Sequence, residues 1–282
     1  MSSLPLTAQP PEDLLTPAVQ IDKLQQGDPG ERYYAAWWLG RMRVKSGIPA
    51  LIKALQDQSD RTEQGGYPLR RNAARALAKL ADPSGIPALI SCLATEDGQL
   101  CGAAAQAISE IALESQMDGL GQDSLCPTTP LAQASAALLG WLQAQDPQDP
   151  ALSETALEGV IEALGSLHVQ SAGPLIKPFV EHSSVRVRCG SCRALFQITG
   201  DVSYISQLLL YLQHDNLHLR RGALLDLGAT GYLPAAAAMA HCAVEANVKL
   251  LALKAMMDAH WRRDPCLTSE VSHVLLLIDG LI

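Results

Sequence analysis

Aromatic side chains are scarce in this sequence: two Phe, four Trp and six Tyr serve 282 residues. Most of the core must therefore come from aliphatic and small residues, and a hydrophobic content of 48% is enough to supply one. Charge is also sparse, at 18% of residues, and Lys and Arg (21) are outnumbered by Asp and Glu (29). The resulting net charge of -8 disfavours a broad electrostatic grip on nucleic acid or an anionic membrane, although a local basic patch stays open. No apolar run approaches the roughly 18 residues that mark a membrane span. The start, Met1-Ser2-Ser3-Leu4-Pro5-Leu6-Thr7-Ala8, has no basic n-region and does not read as a secretory signal. The seven cysteines are odd in number and scattered, which leads us to expect reduced thiols in the cytoplasm.

Familiar catalytic signatures are missing too. There is no His-Glu dipeptide, no P-loop and no G-x-S-x-G elbow, so self-contained metal-dependent hydrolysis or hydroxylation has no visible machinery. Cys189 and Cys192 have C-x-x-C spacing without a second pair at zinc-site distance, and Cys192 falls in a core slot. His214 and His218 are four apart, but Asn216 between them reads as a helix entrance. His241 and Cys242 are adjacent, hence about 100° apart on a helix. No metal site is expected.

What is present is a repeat. Gly47-Ile48-Pro49-Ala50-Leu51-Ile52 returns 38 residues later as Gly85-Ile86-Pro87-Ala88-Leu89-Ile90. The same offset lays Ala35, Ala36, Leu39 and Met42 on Ala73, Ala74, Leu77 and Leu80, the spacing of one helical face. Each copy reads as a helix, a turn and a second helix opened by Pro. Further copies run from Gly102 to Ala112, Leu157 to Val180, Val187 to Leu212, His218 to Met239 and Val248 to Ala259. This period predicts an all-α protein, a right-handed α-α superhelix of the HEAT or armadillo kind. We expect a loose arm over 1–18 that ends in a short helix from about Val19 to Gln26. A single solenoid over 19–282 follows, with loop insertions at about 57–68 and 115–130 and a closing helix from Glu270 to Leu277.

Four of the twelve aromatics crowd into Tyr33-Tyr34-Ala35-Ala36-Trp37-Trp38. Tyr34 falls where later copies carry Asn72, Ala103, Gly159, Gly190 and Gly222, and Trp38 where they carry Ala76, Ala107, Ala163, Ala194 and Asp226. A ring in so small a slot overpacks a core unless it has room, so an end cap is one reading of this pair. Trp37 matches Arg75, Gln106, Glu162 and Arg193, with Leu225 the apolar exception, which makes its slot solvent-facing and a binding role the better reading. Arginines gather nearby in sequence: Arg32, Arg41, Arg43, Arg70, Arg71 and Arg75. Guanidinium forks hold carboxylates and ring faces hold flat conjugated ligands, so the set suits a planar acid or an acidic protein surface.

The segment Tyr33 to Gly40, followed by the paired Gly-Ile-Pro-Ala-Leu-Ile units, resembles the E subunits of the E/F-type phycobilin lyases over roughly Val19 to Asp264. The resemblance implies an enzyme, active as a heterodimer with an F-type lyase subunit, that attaches phycocyanobilin by a thioether bond to a cysteine of the phycocyanin α subunit. The bilin would be substrate, and no cofactor is implied. The acceptor's cysteine adds to the bilin's ethylidene group, so the lyase needs no nucleophile of its own and acts largely by positioning. A general acid could assist, with Tyr33 or Tyr34 as weak candidates. Bilin or partner binding would fall to Tyr33, Tyr34, Trp37, Trp38, Arg41, Arg43, Arg70, Arg71 and Arg75. Two alternatives stay open: a lyase or lyase-isomerase subunit for phycoerythrocyanin or phycoerythrin, and a non-catalytic repeat scaffold for phycobilisome assembly or breakdown.

Overall fold

The computed structural model describes residues 15–117, 129–147, 149 and 152–282. Residues 1–14 of the expected arm and 118–128 of the expected second insertion lie outside them. Every described element is a helix or a turn, and no described helix is long and apolar enough to cross a membrane.

The chain forms two compact units, Met1–Leu138 and Leu139–Ile282. The first holds α1 (Pro17–Gln26), α2 (Pro29–Arg41), α3 (Ile48–Ala54), α4 (Pro68–Leu80), α5 (Ile86–Cys92) and α6 (Gly98–Met117), and α7 (Pro130–Gln143) begins in it. The second holds α8 (Glu154–Ser166), α9 (Gly173–Ile176), α10 (Val185–Thr199), α11 (Ser203–Tyr211), α12 (Leu217–Thr230), α13 (Ala236–His241), α14 (Ala246–Arg263) and α15 (Ser269–Asp279). The traced copies, with the short helix expected near Val19–Gln26 and the closing helix expected at Glu270–Leu277, account for all of these except α7, which lies between two of the copies.

Local chemistry sets the boundaries. Asp28 accepts the Glu31 N–H at 2.8 Å and Glu31 accepts the Asp28 N–H at 3.3 Å, a reciprocal cap that fixes where α2 begins. Pro29 and Pro68 open α2 and α4, where a missing N–H costs nothing. A short 3-10 turn precedes the second helix of four copies, at Lys45–Gly47, Pro83–Gly85, Gln170–Ala172 and Leu233–Ala235. The expected insertion at 57–68 is an ordered loop. Asp57 takes the Arg32 guanidinium at 2.5 Å, and Asp60 accepts the Leu69 N–H at 2.6 Å at the entrance to α4.

Leu39, Leu51, Leu77, Leu89 and Ile108 fill the core of the first unit, and Leu224, Leu227, Met239, Leu253 and Met256 that of the second. Met42 departs from its expected core place and is 58% exposed. The reason is that α2 stops at Arg41 and the chain turns through Arg43 at φ 51, which carries Met42 off the buried stripe.

Neighbouring first helices approach closely. A Cβ on Gly40 would stand 2.8 Å from that of Ala76, so both positions must stay small. Ala76 occupies the slot that holds Trp38 in α2. The helix that packs before α2 is α1, and Trp38 is buried to 9% exposure.

Candidate functional site

In the first unit, α2, α4 and α6 lie side by side and leave a groove of about 320 Å³ across their exposed face. Each helix contributes an i, i+4 pair, and such pairs stack on one helical face. The pairs are Tyr33 and Trp37 from α2, Arg75 and Lys79 from α4, and Gln106 and Glu110 from α6. The small residues Ala76, Ala103 and Ala107 make the floor. Buried Asn72 donates through Nδ2 to the Tyr33 carbonyl at 2.7 Å, tying α4 to α2 at the aromatic end.

The groove therefore runs from aromatic through cationic to amide and acid. Tyr33 and Trp37 are 43% and 42% exposed, and Tyr34 packs beside Trp37 with ring centroids 5.4 Å apart. That pairing backs the Trp37 indole from outside the groove. Neither Arg75 nor Lys79 has an ion-pair partner within 4 Å among the described residues. At the far row, Gln106 donates through Nε2 to Glu110 at 2.9 Å. Loss of hydration in the groove raises the Glu110 carboxyl above its ordinary range, against the opposing pull of the Gln106 hydrogen bond and the Lys79 charge.

The structure gathers only part of the sequence-expected set. Tyr33, Trp37 and Arg75 share the groove, Tyr34 joins at its edge, and Trp38 lies in the core. Arg70 points away, with Nε donating to the Leu55 carbonyl at 2.6 Å and its guanidinium 4.7 Å from the Tyr67 ring. Arg71 is occupied by Asp97 at 2.8 Å and Gln99 at 2.6 Å. Burial tends to raise the Asp97 carboxyl, but hydrogen bonds from Tyr67, Arg71 and Leu100 outweigh it and hold the group below its usual range. Arg41 and Arg43 are exposed at the end of α2 and do not line the groove; Arg43 lies 3.9 Å from Glu114. Lys79, Gln106 and Glu110 were absent from the expected set. The signal for them lay in the slot alignment: Gln106 shares the Trp37 slot, and one turn further along come Lys79 and Glu110.

In the second unit the corresponding row is filled by its own charges. Glu162 pairs with Arg193 at 3.0 Å and Glu158 with Arg186. Asp226, almost fully buried, lies 3.6 Å from both Arg186 and Arg193. A Cβ on Gly222 would strike the Arg186 guanidinium, so this glycine makes room for the network. Desolvation and the Glu162 charge push the Asp226 carboxyl up to about 7 against the two guanidiniums. Among the described residues, Asp226 Oδ2 and Arg193 Nε have no hydrogen-bond partner.

The remaining sequence candidates are structural. Cys189, Cys192 and Cys242 are buried, and burial raises their thiols, that of Cys192 to about 11. His214 Nδ1 accepts the N–H of Asn216, which caps α12, and His241 Nδ1 bonds the Ala237 carbonyl. Among the described residues, no three His, Cys, Asp or Glu side chains are grouped to hold a metal ion.

Residues 18–109 match the family model for HEAT repeats. A phycocyanobilin lyase subunit alpha from Nostoc sp. is 42% identical over 273 residues, spanning 95% of this chain and 94% of the relative. The corresponding protein of Thermosynechococcus vestitus is 41% identical over 289 residues, spanning 100% and 99%. A bilin biosynthesis protein PecE from Nostoc sp. is 38% identical, spanning 98% and 99%. A chain in the solved complex of CpcE and CpcF of phycocyanin lyase from Nostoc sp. PCC7120 is 39% identical. It superposes with a TM-score of 0.80, covering 100% of this chain and 99% of that one.

Proposed function

Because the chain belongs to the family of the phycocyanobilin lyase alpha subunits, we propose that it is the α subunit of a heterodimeric bilin lyase, joining phycocyanobilin through a thioether to a cysteine of the phycocyanin α subunit. Its partner is an F-type subunit, as CpcF is for CpcE in the solved complex. The bilin is substrate rather than a resident group. We place the reaction in the cytoplasm, which accords with the six free thiols of the described residues.

The observation that carries the reading is the order of side chains across the groove. A bilin is a flat conjugated chain with two propionates. Tyr33 and Trp37 offer ring faces to the conjugated system, and Arg75 and Lys79 offer unmatched cations to a carboxylate one helix further on. Held this way, the ethylidene end has a fixed place from which the acceptor thiol reaches it, and positioning of this kind lowers the barrier without a nucleophile from the lyase.

Co-expression with an F-type partner, the phycocyanin α subunit and phycocyanobilin tests the proposal. Covalent, fluorescent product is the result expected. A stable complex with no chromophore transfer would instead support a scaffold.

A further inference from the structure

The aromatic and cationic rows account for binding but leave the acid end of the groove without a task. Glu110 supplies the single carboxyl group among the residues lining the groove. It is exposed to the groove and held by Gln106 from one turn back on α6, at 2.9 Å. Nothing in a purely binding account calls for an acid two helices away from the rings, where it opposes the carboxylates that Arg75 and Lys79 attract.

Thioether formation does call for one. As the acceptor's thiolate attacks the ethylidene carbon, a C–S bond forms and the π pair of the double bond moves into the conjugated system. That system must take up a proton at once or carry the negative charge. Resting on the bilin-lyase reading, we propose that Glu110 is a catalytic residue, the general acid that hands this proton to the bound bilin. The books close without any other reagent: one C–S bond forms, one π bond is consumed, Glu110 loses its proton, and the proton released by the acceptor thiol restores it.

The neighbours suit the role. Arg75 and Lys79 are the charged groups that face Glu110 from α4, and they are placed to hold the bilin's carboxylates. α5, also packed on α6, carries no charged residue. Loss of hydration shifts the Glu110 carboxyl upward, the direction a proton donor needs. The Tyr33 hydroxyl also carries a proton in the groove and is the rival to be tested.

The experiment uses the full chain with its F-type partner, the phycocyanin α subunit and phycocyanobilin. Two quantities are read, bilin affinity by absorbance titration and the rate of covalent transfer between about pH 6 and 9. Glu110→Gln should keep the affinity within about threefold and slow transfer about 100-fold, an ordinary loss for a general acid. It should also abolish the fall in rate that the parent shows as Glu110 ionises with rising pH. Glu110→Asp should regain part of the rate and the pH dependence. An unchanged rate and profile in Glu110→Gln, or transfer lost only with Tyr33→Phe, would overturn the proposal. So would affinity and rate falling together, since that makes Glu110 a binding group. Trp37→Ala separates the two levels: if it weakens bilin binding while Glu110→Gln changes nothing, the lyase reading stands and the acid fails. If neither variant affects binding or transfer, the groove itself is wrongly assigned.

Discussion

Along the exposed face of the first unit, the row that starts at Trp37 continues as Arg75 and Gln106, whereas in the second unit the same slots hold Glu162, Arg193 and Leu225. The two rows differ in where their cations find partners. Arg193 pairs with Glu162 and approaches Asp226, so its charge is spent inside the protein. Arg75 has no such acid within 4 Å among the described residues, and it lines the groove. Similar helices at similar slots thus produce a closed ionic face in one unit and an open groove in the other. The choice rests on a few residues: Asp226 in place of alanine, Gly222 in place of Asn72 or Tyr34, and glutamates where the first unit has Tyr33 and Trp37.

The comparison can be broken most sharply in the second unit. Arg193→Ala leaves Glu162 and Asp226 without their shared cation, and we expect the unfolding free energy to fall by about 3 to 5 kcal/mol, read by denaturant titration. Arg75→Ala makes the matching change in the first unit, where no acid is orphaned. It should alter stability by less than about 0.5 kcal/mol yet weaken bilin binding about tenfold, or roughly 1.4 kcal/mol. Asp226→Ala restores the residue that the slot carries elsewhere and leaves two matched Arg–Glu pairs. It should be neutral or slightly stabilising, since a buried ion at the centre of such a network is replaced without orphaning its partners. The Asp226 charge also sets a slope. Asp226 titrates near 3.8 when unfolded and near 7 when folded, so its protonated form favours the native state. That contribution is complete below about pH 4 and is lost as pH rises toward 7. The parent should lose stability across that window relative to Asp226→Asn, measured by denaturant titrations at several pH values.

Much of this was legible in the sequence because repeats can be read against each other. The 38-residue offset, the Pro-opened second helices and the Asn216 cap all map onto observed elements, and the slot alignment singled out Trp37 and Arg75. The arginines show where such reading stops. Arg70 is turned about 100° from Arg71 on the helix and meets the Leu55 carbonyl. Arg71 lies on the same stripe as Arg75, but Asp97, which arrives from the next turn of chain, takes its charge. Proximity in sequence said nothing of either partner. Glu110 was missed for a different reason. It belongs to the Trp37 stripe but is a single ordinary glutamate, and only the groove gives it neighbours.

The central claim is that the open face of the first unit, and not the neutralised face of the second, holds the bilin. Phycocyanobilin titrated into the heterodimer carrying Trp37→Ala, and separately into the one carrying Asp226→Ala, tests it most directly. We predict about tenfold weaker binding for the first and an unchanged affinity for the second. Full affinity in Trp37→Ala with loss in Asp226→Ala would contradict it.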